Sequence, residues 1–248
     1  MENNKGGKAS LAIPVMAILA LIGVQVTLYL AYFYAPTQIN RGTLWVVTPN
    51  AAGAPINLYE SYRILFIHVP AALSTALCCL LTLVGGVMWL LTKKPGWDSL
   101  TVAASEVGLL ACGAVLISGT LWGDYAWGSG RLGSGWNWEP RLTTTLILWL
   151  AFAALLVLRR AMDQPQLRLK VTAIYGILLS PLYPLVSKAI EIGQTSHPTS
   201  FKDQMSAPEI ATVNQVARFS VILVFVALVA LRVLMNNVAK ETDRERAA

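Results

Sequence analysis

This sequence predicts an all-α integral membrane protein of six transmembrane helices. Three observations point there. The 248 residues are 55% apolar and 13% charged, with a mean hydropathy of +0.56, a balance foreign to soluble globular proteins. Apolar stretches of about 20 residues, enough to cross the hydrocarbon of a bilayer, recur along most of the chain. Basic pairs such as Lys93-Lys94 and Arg159-Arg160 fall between those stretches as ordinary loop charges.

The spans follow in order. The first, 11–34, is too long for the apolar part of a secretion signal and lacks a clear small-residue cleavage site, so a helix is expected there. The second, 64–91, carries His68 one to two turns from its start and Pro70 just beyond. Pro70 lacks a backbone donor and is expected to bend the helix beside the imidazole. The third, 99–121, carries Glu106, read as a structural polar contact. The fourth is 142–160. The fifth, 169–190, contains Pro181 and Pro184, and the sixth is 211–235. Together they leave no room for a soluble domain, so residues 1–248 form a single membrane domain without internal repeats.

Basic residues set the expected orientation, because Lys- and Arg-rich segments stay in the cytoplasm. With the N-terminus inside, 12 of the 19 Lys and Arg residues fall in inner segments and 7 in outer ones. An even number of spans returns the C-terminus to the cytoplasm. The net charge of +6 reads as membrane anchoring, and no nucleic-acid-binding motif is present. Cys78, Cys79 and Cys112 lie inside apolar spans without a C-x-x-C motif, as small hydrophobes would.

In this orientation an unusual segment faces outward. Trp122, Trp127, Trp136 and Trp138 fall within seventeen residues, interleaved with glycines and followed by Glu139 and Arg141. The interval 122–141 is expected to be a Trp-rich outer loop. Its aromatic rings with charged edges suit a large planar ligand at the membrane surface, or an ordinary interfacial aromatic belt. The chain's two histidines, His68 and His197, belong to the same side. An ionisable residue at the depth of His68 is a functional candidate. Arg63, five residues earlier, points about 140° away from it on a helix. Two histidines without further ligands make a poor zinc site but a complete axial pair for a haem iron. Arg131 and Arg141 are then candidate partners for the propionates.

Several segments resemble the cytochrome c maturation protein C (CcmC) family. Ser61-Tyr62-Arg63-Ile64 and His68-Val69-Pro70-Ala71-Ala72 are similar to its S-Y-R-I and H-V-P-A-A segments. Ser118-Gly119-Thr120 with Trp122-Gly123 resembles its entry into the Trp-rich loop. Trp136-Asn137-Trp138-Glu139-Pro140-Arg141-Leu142-Thr143 resembles W-x-W-D-x-R-L-T, with Glu139 at the usual Asp and a longer, Gly-rich stretch before it. The resemblance implies a haem-handling protein of the bacterial inner membrane rather than an enzyme. It implies haem b held transiently at the outer face by His68 and His197, with Trp122, Trp127, Trp136, Trp138, Glu139 and Arg141 around it. It further implies delivery to a periplasmic haem chaperone, and association with ATP-binding-cassette subunits and a small membrane adaptor subunit. The competing readings are a membrane haem-b electron-transfer subunit, which would bury both ligands between helices, and a small-solute transporter.

Overall fold

A computed structural model describes residues 4–35, 61–127, 138–192 and 208–247. Among them every regular element is helical. Helix α1 (Asn4–Tyr29) runs into a π-helical turn (Leu30–Tyr34). A 3₁₀ turn (Ser61–Ile64) leads into α2 (Leu65–Thr92). There follow α3 (Pro95–Trp127), α4 (Pro140–Arg160), α5 (Pro165–Leu179), α6 (Leu182–Ile192) and α7 (Pro208–Ala247). Six segments are long and apolar enough to cross a membrane: Pro14–Tyr34, Leu65–Thr92, Pro95–Gly123, Pro140–Arg160, Pro165–Ala189 and Pro208–Lys240. The six expected spans are all present, each shifted by a few residues at its ends.

The surface agrees with that reading. Leu91, Ile117, Leu178 and Phe219 are among many large apolar side chains left exposed, which water would not tolerate over so wide an area. Inside, several buried hydroxyls are satisfied within their own helices. Ser74, Thr82 and Ser105 each donate to the carbonyl four residues earlier, at 2.7–2.8 Å. A side chain satisfied in this way can face another helix without needing water.

Prolines mark the starts and breaks. Pro95, Pro140, Pro165 and Pro208 each open a helix, where the missing N–H costs nothing. The fifth span is two helices, because Pro181 and Pro184 interrupt it after Ser180. The Ser180 hydroxyl lies 2.9 Å from the Cys79 carbonyl and 2.8 Å from that of Gly176, tying the break to α2. Between α2 and α3 the turn is only two residues. Lys93 adopts a left-handed φ of 55° and donates its N–H to the Trp89 carbonyl at 2.8 Å.

Helices α2 and α3 form the central pair. Helices α5 and α7 pack on α2, α4 and α7 on α3, and α6 on α4, while α1 lies outermost against α7. Small residues bring the axes together. A Cβ on Gly86 would come within 2.6 Å of the Ala173 carbonyl oxygen. One core cluster, with Cys78, Cys79, Cys112, Leu148 and Phe152, fills the middle of the bundle. A second, with Leu65, Phe66, Trp122 and Val213, sits near the start of α2. All three cysteines are free and buried.

The other end of the bundle is held by ion pairs. Asp98, in the first turn of α3, is 2% exposed. Arg159 grips both its oxygens, at 2.8 and 2.9 Å, and Lys240 reaches Oδ2 at 2.7 Å. One carboxylate thus joins α3, α4 and α7. Arg159 is therefore not the plain loop charge its sequence position suggested. The last turn of α4 carries it inward, where a buried acid requires a partner. Glu106 meets Arg232 of α7 in a two-pronged pair, at 2.6 and 2.8 Å, as a structural contact.

Candidate functional site

His68 lies in the second turn of α2, half-buried. Its Nδ1 is 2.9 Å from Ser118 Oγ of α3. The Ser118 hydroxyl proton is committed to the Ala114 carbonyl, at 2.6 Å. Ser118 Oγ can therefore only accept, and Nδ1–H of His68 donates. With Nδ1 donating, Nε2 is the nitrogen whose lone pair a neutral imidazole would offer to a metal. Gly119 supports the same ring from the side, where an added Cβ would stand 3.1 Å from His68 Cε1. Ser118 and Gly119 of α3 thus seat the imidazole.

Two small cavities, each of about 40 Å³, meet at His68. They share Val115, Arg141 and Thr145. The first runs between α2, α3, α4 and α6, past Ala72 and Cys112 to Tyr183 and Ser187. The second is lined by Gly119, Trp122, Glu139 and Leu142 as well. Their walls are mainly apolar with a few polar groups.

The expected site residues divide into three groups. His68, Trp122, Glu139 and Arg141 do converge, around the second cavity. Two of them do so from other elements than expected. Trp122 is not in a loop. It lies in α3, 4% exposed and packed with Leu65, Phe66 and Val213. The helix continues because no proline follows Pro95 in it, its glycines being tolerated in the packed bundle, and the four-residue step from Ser118 puts Trp122 on the same inward face. Arg141 is likewise helical. Pro140 opens α4, Glu139 is its extended N-cap residue, and Arg141 follows in the first turn. Trp138 is 72% exposed and lines neither cavity. Trp127 closes α3, though its side chain lies outside the described residues. Trp136, Arg131, His197 and the remainder of the expected Trp-rich loop lie outside them as well.

Arg63 lies in the 3₁₀ turn before α2 and has partners of its own. It donates to the Ala35 carbonyl at 3.3 Å and stands 6.0 Å from the Tyr32 ring, tying the second span to the end of the first. Sequence reasoning missed Ser118 as a partner of His68, and it missed Tyr183 and Thr145. Ser118 is 50 residues from His68, and spacing carries no information over that range.

The fold and site define a class: a multi-pass helical membrane protein with an imidazole, engaged by a serine hydroxyl, between two largely apolar cavities. Comparison with known proteins narrows it. The family model described as Heme exporter protein C matches residues 6–248, and the chain belongs to that family. Relatives named Heme exporter protein C are 32% identical over 126 residues in Paracoccus denitrificans, covering 51% of this chain and 50% of that protein. In Rhodobacter capsulatus the figure is 29% over 203 residues, covering 77% and 78%. In Escherichia coli K12 it is 24% over 243 residues, covering 94% and 86%. A putative cytochrome c biosynthesis ccmC-like mitochondrial protein of Marchantia polymorpha is 30% identical over 125 residues. The chain spans about half the length of the Paracoccus and Marchantia proteins, 50% and 45%.

Proposed function

We propose that this chain is a haem-handling protein of cytochrome c maturation. In this reading it holds haem b transiently at the outer face of a bacterial inner membrane and is not itself an enzyme. The observation that carries it is the seat of His68, where Nδ1 is engaged by Ser118 and Nε2 is the nitrogen that would serve as an axial ligand, beside largely apolar walls and a guanidinium. Those residues fit a haem. The imidazole suits the iron, the apolar walls suit the ring, and Arg141 suits a propionate. His197 is the second axial ligand in this reading. Trp122 walls the ring from the helical core, and Trp127, Trp136 and Trp138 supply aromatic surface around it. Glu139, at the N-cap of α4, orients that helix start.

Haem bound between two neutral histidines can leave when one dissociates, and His197, outside the spans, is the one to do so. The recipient is a periplasmic haem chaperone. ATP-binding-cassette subunits and a small membrane adaptor complete the assembly, and both termini are cytoplasmic. Family membership supports this reading over an electron-transfer subunit or a solute transporter.

Visible spectra test it. Protein purified from haem-replete membranes is expected to show sharp reduced α and Soret bands of low-spin bis-histidine haem. These bands are expected to weaken in both His68→Ala and His197→Ala. A wild-type protein that stays haem-free with haem added would sink the ligation.

A further inference from the structure

Glu106 and Arg232 form an ion pair inside two spans, and the bundle does not enclose it. Their side chains are 23% and 36% exposed. Glu106 lies eight residues beyond Asp98, and Arg232 lies eight before Lys240. The pair therefore sits about 12 Å, or two helical turns, farther into the membrane than the Asp98 clasp. Charged groups inside spans are costly and normally face the bundle interior.

The surface around the pair is open. Helices α4 and α7 both pack on α3, yet among the described residues they scarcely touch each other. Asp98 joins them at one end, through Arg159 and Lys240. Farther along α3, Glu106, Leu110, Gly113 and Ile117 follow spacings of four and three, so they share one stripe. Leu110 and Ile117 are exposed, and Gly113 is partly so. A small residue in an exposed apolar stripe lets another helix approach closely.

Arg232 supplies the polar anchor. It gives Nε and Nη2 to Glu106, while Nη1 has only the Met235 sulfur at 3.9 Å, a weak acceptor. An acceptor oxygen would complete it. The pair is already neutral, so a neutral oxygen fits better than another charge. A phospholipid headgroup at the level of Lys240 is two turns away, which excludes it as the source. The flanking stripe is apolar. A membrane-spanning helix carrying a hydroxyl or a side-chain amide meets all three conditions.

We propose that the α3 face between α4 and α7 docks a membrane-spanning helix of a partner subunit, which sets a neutral hydroxyl or amide against Arg232. This names a surface for the assembly proposed above and rests on that reading.

The test uses the full tagged chain, co-expressed with the membrane-spanning subunit of the ATP-binding-cassette pair and the small adaptor. A photoreactive phenylalanine analogue replaces Leu110, Ile117 or, as a control on α5, the equally exposed Leu178. Membranes are irradiated and the adducts mapped by mass spectrometry. Adducts to a span of one co-expressed subunit are expected from Leu110 and Ile117, and not from Leu178. This scan keeps Glu106 and Arg232 in place, so it does not depend on a charge variant folding. The double variant Glu106→Leu with Arg232→Leu exchanges a neutral pair for apolar side chains, which a folded bundle tolerates. An unchanged size-exclusion profile verifies its fold. Its association is expected to weaken about threefold to thirtyfold, the range of one interhelical hydrogen bond.

Copurifying subunits with only lipid adducts at Leu110 and Ile117 would show a face bare to the bilayer and overturn the docking. Adducts as strong at Leu178, or adducts to a second copy of this chain, overturn it too. Undiminished adducts in the double variant overturn the anchoring on Arg232. A chain that copurifies with neither subunit defeats the assembly itself, a failure distinct from a misplaced face.

Discussion

The chemistry of the site turns on one hydroxyl. Ser118 accepts from His68 Nδ1–H only because its own proton goes to the Ala114 carbonyl. Ser118→Ala removes that acceptor and leaves the imidazole free to choose its tautomer. Partners of metal-binding histidines are typically worth 10–100-fold in affinity. Ser118→Ala is therefore expected to weaken haem binding by about tenfold or more, measured by haem titration, with Ser118→Thr restoring most of it. Gly119→Val tests the other side of the seat. Its Cβ begins 3.1 Å from His68 Cε1, and its methyls would push the ring aside. A displaced ligand and a weaker Soret band are expected, with the helical circular dichroism unchanged. At this scale the residue types were legible in sequence. An ionisable group near the start of a span and an aromatic-acid-base run are conspicuous, and His68, Trp122, Glu139 and Arg141 do come together. Ser118 was not legible, because a serine is common and its partner is a whole helix away.

Among the elements, prolines and glycines decide where the chain turns and how closely it packs. Gly86 lets α2 approach α5 until only a hydrogen atom fits, with the Ala173 carbonyl oxygen 2.6 Å from where a Cβ would be. Backbone cannot step aside as a flexible side chain can. Gly86→Ala is expected to destabilise the protein by about 1–3 kcal/mol, read as a lower thermal midpoint in detergent. Span number and order were legible from apolar run length alone. The ends were less so. Trp122 read as loop because Trp and Gly crowd the segment, yet hydrogen bonding carries α3 on to Trp127. Pro181 and Pro184 were visible as breakers, but not the direction in which α6 would leave.

Across the whole molecule, charge is spent at one end and chemistry at the other. Asp98 holds α3, α4 and α7 through Arg159 and Lys240. Asp98→Asn removes the charge two cations share, and about 2 kcal/mol of stability should go with it. Lys188→Ala, by contrast, breaks an exposed pair with Glu191 whose side chains are 66% and 61% exposed. Its expected effect is within about 0.5 kcal/mol. Thermal unfolding of the two variants side by side checks both. If Asp98→Asn unfolds like wild type, the three-helix clasp is not what holds that end.

The sequence by itself determined the class of this protein, the number and order of its spans, and the residue types from which a site can be built. Those follow from local physics: twenty apolar residues must cross a bilayer whatever surrounds them, and a proline cannot donate wherever it falls. Only the tertiary structure decided which hydroxyl faces His68, that Trp122 is core, that Arg159 is buried on Asp98, and that α6 packs on α4 and barely touches α2. Each of these depends on contacts between residues far apart in the chain, and such contacts are settled by the packing of helices against one another.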